Sequence, residues 1–130
     1  MMIDTHCHIY NGEMDNAEEI IKEAAENGIH VILNGTDPIS NGKILKLSQK
    51  YDNVHAALGY FHSFADRITD EDISLLDRQL ESDDVVAVGE IGLDYYHTKD
   101  NKDKQMELFE RMITLAEKHG LPVIVHSYRC

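Results

Sequence analysis

Two histidines stand two residues apart near the start of the chain, in the run Asp4-Thr5-His6-Cys7-His8-Ile9. Side chains alternate along an extended strand, so this spacing would put Asp4, His6 and His8 on one face. Two neutral imidazoles sharing a face form a clamp for a divalent ion. With eight histidines in 130 residues, a His-x-His pair also arises by chance, and the in-register Asp4 is what sharpens it. A further donor lies in Val88-Gly89-Glu90-Ile91-Gly92-Leu93-Asp94-Tyr95-Tyr96, where a carboxylate emerges from an apolar strand between glycines that admit close backbone approach. A buried carboxylate needs a partner. An ion pair with Lys or Arg is one answer, but the strands bring histidines rather than basic residues to this region, which favours a metal. His126 closes Leu121-Pro122-Val123-Ile124-Val125-His126-Ser127, and by itself it reads as a strand-end histidine bonded to a loop carbonyl.

The elements that must position these residues follow from periodicity. Residues 1–8 read as a first strand, and 15–27 as a helix with Ile20, Ile21, Ala24 and Ala25 on its apolar face, stopped by Asn27-Gly28. Residues 29–33 form a β-branched run closed by Asn34-Gly35, after which Ser40 could cap a helix carrying Ile44, Leu45 and Leu47. A third strand spans 54–61. Thr69-Asp70-Glu71-Asp72 opens a helix with Ile73, Leu76 and Leu80 on one side. Residues 85–91 supply a fourth strand, and from about 103 to 119 Met106, Phe109, Ile113 and Ala116 keep helical spacing until Gly120. A fifth strand covers 121–126. Strands that are near-continuous apolar runs, alternating with helices, imply an α/β fold with a parallel sheet. Periodicity does not separate an open doubly wound sheet from a barrel, but the chemistry does. His6, His8, Glu90 and His126 all fall at C-terminal strand ends, the rim where barrel enzymes gather their reactive groups.

Composition narrows the class. A chain with 42% hydrophobic and 28% charged residues is an ordinary globular domain, read as one unit over residues 1–130. Its net charge of −12 excludes a broad basic groove for nucleic acid. The longest apolar runs, such as residues 121–125, are too short to cross a bilayer, and no charged leader precedes an apolar stretch, so a cytoplasmic location without membrane contact is expected. Cys7 and Cys130 form no disulfide pattern and are expected reduced. His30, His55, His97 and His119 are expected to be ordinary surface residues.

The three motifs Asp4-Thr5-His6-Cys7-His8, Gly89-Glu90-Ile91-Gly92-Leu93-Asp94-Tyr95 and Pro122-Val123-Ile124-Val125-His126-Ser127, in this order, resemble the TatD-like metal-dependent deoxyribonucleases of the amidohydrolase barrel superfamily. The resemblance runs along the whole chain and includes the helix leading into the histidine strand. It implies a TIM-type (βα) barrel that hydrolyses phosphodiester bonds in DNA or a related small substrate. It also implies that His6 and His8 hold one divalent ion, that the catalytic Glu90 bridges it to a second, and that His126 binds the second. Zinc, magnesium and manganese are the candidate metals, and imidazoles with one carboxylate suit zinc better than magnesium. Positive ions would also let an acidic chain receive an anionic substrate. Asp94, His62 and Arg129 are the expected substrate-side residues. Two of them depart from the family spelling: Gly59-Tyr60-Phe61-His62-Ser63 has one extra residue and no proline, and Ser127-Tyr128-Arg129 displaces an arginine by one place.

The family pattern continues with a further histidine and an aspartate on later strands, which these 130 residues do not contain. A complete eight-stranded barrel takes about 250 residues. The expectation is therefore about half a barrel, five strands and four helices, cut after strand five. Its Val123-Ile124-Val125 edge would need cover from self-association or from a separately supplied second half. Two other readings stand beside the nuclease. The PHP phosphoesterases also begin with His-x-His, although the Gly89 to Tyr95 motif argues against them. A catalytically silent metal-binding or assembly module left by truncation is supported by the absent aspartate.

Overall fold

The structure, a computed structural model, describes the backbone of residues 2–7, 14–94 and 101–126 and the side chains of 17–94 and 101–126. Strands β1 (Met2–Cys7), β2 (Ile29–Asn34), β3 (Val54–Leu58), β4 (Val85–Ile91) and β5 (Val123–Val125) alternate with helices α1 (Met14–Glu26), α2 (Pro38–Lys50), α3 (Asp70–Gln79) and α4 (Lys102–His119). A single 3-10 turn, His62–Phe64, follows β3. Every strand pairs in parallel with the next, in the order β1-β2-β3-β4-β5. This order decides between the two architectures that periodicity leaves open. A doubly wound sheet reverses direction at a switch point, whereas a barrel adds each strand on the same side of the last. The described sheet never reverses, so it is an arc of barrel.

Helix starts are fixed by residues that satisfy orphan N–H groups. Thr69 caps α3 as its sequence suggests, with a reciprocal box in which Asp72 N–H donates to Thr69 Oγ1 (3.2 Å) and Thr69 N–H to Asp72 Oδ2 (2.9 Å). The start of α2 differs from the expectation at Ser40. Asp37 is the cap, Pro38 occupies the first helical position, and Ser40 closes the box by accepting from Asp37 N–H at 3.1 Å. Proline needs no N–H partner there, so the helix begins three residues early. Gly120 ends α4 at φ 65°, a left-handed position suited to glycine.

Between sheet and helices lies one apolar layer. Val31, Leu33, Val54, Ala56, Leu58 and Val85 meet Ile44 and Leu47 of α2, Leu76 of α3 and Met112 of α4 in a single buried cluster. On β2 the residues between them, His30 and Ile32, are only half-buried, as expected when helices cover one face. The apolar face of α4 is turned by one residue from the expected one. Gln105, Leu108, Met112, Leu115 and Ala116 are buried, while Met106 is exposed. In α1 Ile21 is buried, and Ile20 faces solvent at 62% exposure.

The pairing of β1 with β2 shifts register between Asp4 and Cys7, which pair with Val31 and Leu33. Three steps on β1 thus match two on β2, so one residue is extra. This bulge falls within the run in which Asp4, His6 and His8 are expected to share a face; the side chains of Asp4 and His6 and all of His8 lie outside the described residues.

Candidate metal centre

The rim at the C-terminal strand ends is assembled by backbone hydrogen bonds. Gly35 N–H, just past β2, donates to Ala57 O on β3 (2.8 Å), and Gly35 O accepts from Glu90 N–H on β4 (2.9 Å). From α2 the fully buried Asn41 donates through Nδ2 to Gly59 O at 3.0 Å, pinning the end of β3. That bond explains why β3 stops at Leu58 instead of running to Phe61. Thr36 O then accepts from Phe61 N–H at 2.9 Å, which sets the turn carrying His62.

Close approach of β5 to β4 depends on two glycines. A Cβ on Gly89 would lie 2.8 Å from Ile124 Cβ and 3.1 Å from Ile124 O, and one on Gly92 would overlap His126 O. With no side chain in the way, His126 N–H donates to Ile91 O at 2.8 Å. The spelling Gly89-Glu90-Ile91-Gly92 thus supplies a carboxylate and the room for the histidine strand beside it.

Glu90 is 5% exposed. Its Oε1 lies 3.4 Å from His126 Nδ1, whose ring is more than half exposed. Donors at about 2.0–2.2 Å from one tetrahedral ion stand at about this separation from each other. A carboxylate and an imidazole so spaced fit a zinc-like ion. Among the described residues no third His, Cys, Asp or Glu completes the set. β1 ends on this rim at Cys7, one residue past His6, while the side chain of His6, and all of His8 and Arg129, lie outside the described residues.

His62 and Asp94 join the group. Phe61 packs between the two histidines, its ring centroid 4.0 Å from that of His62 and 6.0 Å from that of His126. Among the described residues His62 Nδ1 is buried without a hydrogen-bond partner. Burial holds the His62 pKa below the ordinary histidine value; the Asp94 carboxylate pulls it upward, His126 pushes it down and Glu90 pulls it up. The ring is therefore neutral at pH 7. Asp94 is 7% exposed, and its backbone is held by Gln105, whose Oε1 accepts from Asp94 N–H (2.9 Å) while its Nε2 donates to Asp94 O (3.0 Å).

The sequence matches the model of the TatD related DNase family over residues 3–130. The chain belongs to the TatD family. Among curated TatD relatives, an uncharacterised metal-dependent hydrolase of Bacillus subtilis (strain 168), YabD, is 35% identical over 129 residues, covering 98% of this chain and 51% of the relative. The 3'-5' ssDNA/RNA exonuclease TatD of Edwardsiella piscicida is 30% identical over 128 residues, covering 96% and 49%. The crystal structure of YjjV, a TatD homolog from Escherichia coli K12, superposes with a TM-score of 0.86 at 33% identity, covering 98% of this chain and 51% of that one. The chain thus spans about half the length of the TatD relatives it matches, and its arc corresponds to half of their barrel. No helix among the described residues is long and apolar enough to cross a membrane.

Three features escape sequence reasoning. Gln105 is fully buried in a helix whose apolar spacing pointed elsewhere; its signal is the step of three and seven residues to Leu108 and Met112. His30 and His55, expected to be ordinary surface residues, face each other with His30 Nδ1 2.9 Å from His55 Nε2 and rings 16° from coplanar. They lie at the start of β2 and β3, the pole opposite the rim. His119 also departs from that expectation, its Nε2 meeting Asp77 Oδ1 at 2.6 Å. His97 lies outside the described residues.

Proposed function

We propose that this chain carries the metal-binding half of a TatD-type hydrolase centre that cleaves phosphodiester bonds in DNA or a related small phosphodiester. The observation that supports this reading most is the buried Glu90 carboxylate with His126 Nδ1 at 3.4 Å on a rim where β1 also ends. In this reading Glu90 and His126, with His6 and His8, hold one or two divalent ions, zinc before manganese or magnesium. Such an ion supplies Lewis acidity toward a phosphate oxygen and lowers the pKa of water. The residues of this chain do the remaining work. Neutral His62, packed against Phe61, lines the substrate side of the rim. Asp94 orients a ligand or a water from beside it. Arg129 meets phosphate charge.

Metal analysis followed by turnover of fluorescent single-stranded DNA tests the proposal. Stoichiometric metal with turnover, lost in both His6→Ala and Glu90→Ala, supports it. A catalytically silent metal-binding or assembly module is the alternative reading. It predicts stoichiometric metal without turnover.

A further inference from the structure

We propose that Gln105 is a positioning residue for the metal centre: from the first turn of α4 its buried carboxamide grips both backbone groups of Asp94 and sets where that carboxylate meets the rim. The inference rests on the reading of this rim as a metal centre and goes beyond the ligands themselves.

Three observations carry it. First, the amide has one possible orientation. Oε1 accepts from Asp94 N–H at 2.9 Å, and Nε2 donates to two oxygens, Asp94 O at 3.0 Å and Asn101 Oδ1 at 2.8 Å. A flipped amide would set oxygen against oxygen twice. Second, Gln105 is fully buried among Leu108, Met112 and Leu115, where a leucine would pack without any polar requirement. A buried amide is retained in such a place only when its bonds are made. Third, the helix gives up something to orient it. Asn101 stands at the N-cap of α4, a position where Asn ordinarily accepts from the helix's own N–H groups, yet it makes no such bond. Its oxygen is turned to Gln105, and its Nδ2 donates to Asp66 Oδ2 at 3.2 Å.

The chain of contacts therefore runs from Asp66, just beyond the turn that holds His62, through Asn101 and Gln105 to Asp94. It ties the loop after β3 to the loop after β4. Both loops deliver a side chain to the rim, His62 from one and Asp94 from the other, and this relay links them in addition to the backbone hydrogen bonds of the rim.

The test uses the chain loaded with Co(II), whose visible spectrum reports ligand geometry without requiring turnover. Gln105→Met keeps the volume and apolar packing but removes the carboxamide's hydrogen bonds to Asp94 and Asn101. The expected result is a folded protein with faster exchange of the Asp94 amide and a Co(II) spectrum moved toward that of Asp94→Ala. Adding Gln105→Met to Asp94→Ala should change the spectrum no further, because no carboxylate remains to be positioned. A Gln105→Met spectrum superposing on the unsubstituted one overturns the proposal. So does a double variant that departs from Asp94→Ala as far as Gln105→Met departs from the parent, since the glutamine would then act by packing alone. If Gln105→Met does not fold, Asn101→Ala, which removes the contacts to Gln105 and Asp66 from outside the core, must move the spectrum in the same direction, and an unmoved spectrum overturns the proposal. Absence of DNA turnover sinks the hydrolase reading and leaves this comparison intact, whereas a chain that binds no Co(II) overturns both.

Discussion

Replacing Gly92 by alanine should separate His126 from Glu90 without touching either side chain. The added Cβ would overlap His126 O and lie 2.8 Å from His126 C and 3.4 Å from Phe61 Cε1. Ordinary carbon–carbon contact begins at about 3.5 Å, so the carbonyl carbon alone must retreat by roughly 0.7 Å, and the oxygen by more. The hydrogen bond from His126 N–H to Ile91 O, now 2.8 Å, stretches with it. Overpacking of this kind costs about 1–3 kcal/mol, and the weakened hydrogen bond adds about 1 kcal/mol. Metal sites accept only about 0.2 Å of error in ligand distance, and loss of a group that orients a ligand lowers affinity roughly 10–100-fold. The expected outcome is a loss of about 2–4 kcal/mol in urea denaturation and a fall in Zn(II) affinity of about tenfold or more, read by competition with a chromophoric chelator. Gly42→Ala is the control. Gly42 lies inside α2 with nothing within 4 Å of a built Cβ, so the same chemical change there should stabilise by about 0.4–1 kcal/mol and leave zinc binding alone. Equal zinc affinity and equal stability in Gly92→Ala and the parent would refute the argument that this glycine sets the β4–β5 approach.

Further expectations follow from other parts of the fold. Leu76 is fully buried between α3 and the sheet, so Leu76→Ala should cost about 2–5 kcal/mol by chemical denaturation, and a loss below 1 kcal/mol would mean that the helix layer is not packed as described. The Asp77 carboxyl is held below its ordinary value by Lys118 Nζ at 2.7 Å and then by His119 Nε2 at 2.6 Å. A depressed carboxyl pKa adds stability that is complete above the unfolded value of 3.8 and fades as pH falls through the folded value. Thermal melts of Asp77→Asn should therefore lose most relative to the parent near pH 6 and converge with it in acid, by about 1 kcal/mol or less for so solvated a group; a difference that grows on acidification would contradict this. His62 is held below the ordinary histidine value chiefly by burial, so its contribution to folding is complete above pH 6.5 and declines below it. His62→Gln should flatten that part of the stability profile, and an unchanged slope between pH 5 and 7 would count against a neutral buried ring.

The alternation of strands and helices was readable because each strand is an apolar run and each helix keeps a 3.6-residue beat. Thr69 and Asp72 announced their helix because the capping box is a local interaction, complete within four residues. Strand order was not readable from periodicity, since it depends on contacts tens of residues apart; it had to be argued from where Glu90 and His126 fall. The rim histidine and carboxylate were legible as residue types, and so was their shared end of the sheet. The bulge between Asp4 and Cys7 was hidden, because an extra residue in a strand leaves no mark on the run of residue types. Gln105 was misplaced for a related reason. A polar side chain is assigned to solvent unless its partner is known, and here the partner is the backbone of Asp94, eleven positions earlier. His30 and His55 look unremarkable along the chain and meet only through the β2–β3 register, in which Ile32 pairs with His55.

The sequential strand order has a mechanical consequence. Neighbouring strands are spaced by about 4.8 Å, so if this sheet were laid flat the ends of β1 and β4 would stand roughly 14 Å apart, beyond the reach of any single cation. Convergence of their ligands is then a property of how tightly the arc curls, and an ion gripped by both strands would act as a brace across its chord. Substitutions that flatten the curve from the helix side would loosen the brace from a distance, and loading the ion would in turn stiffen the arc against unfolding.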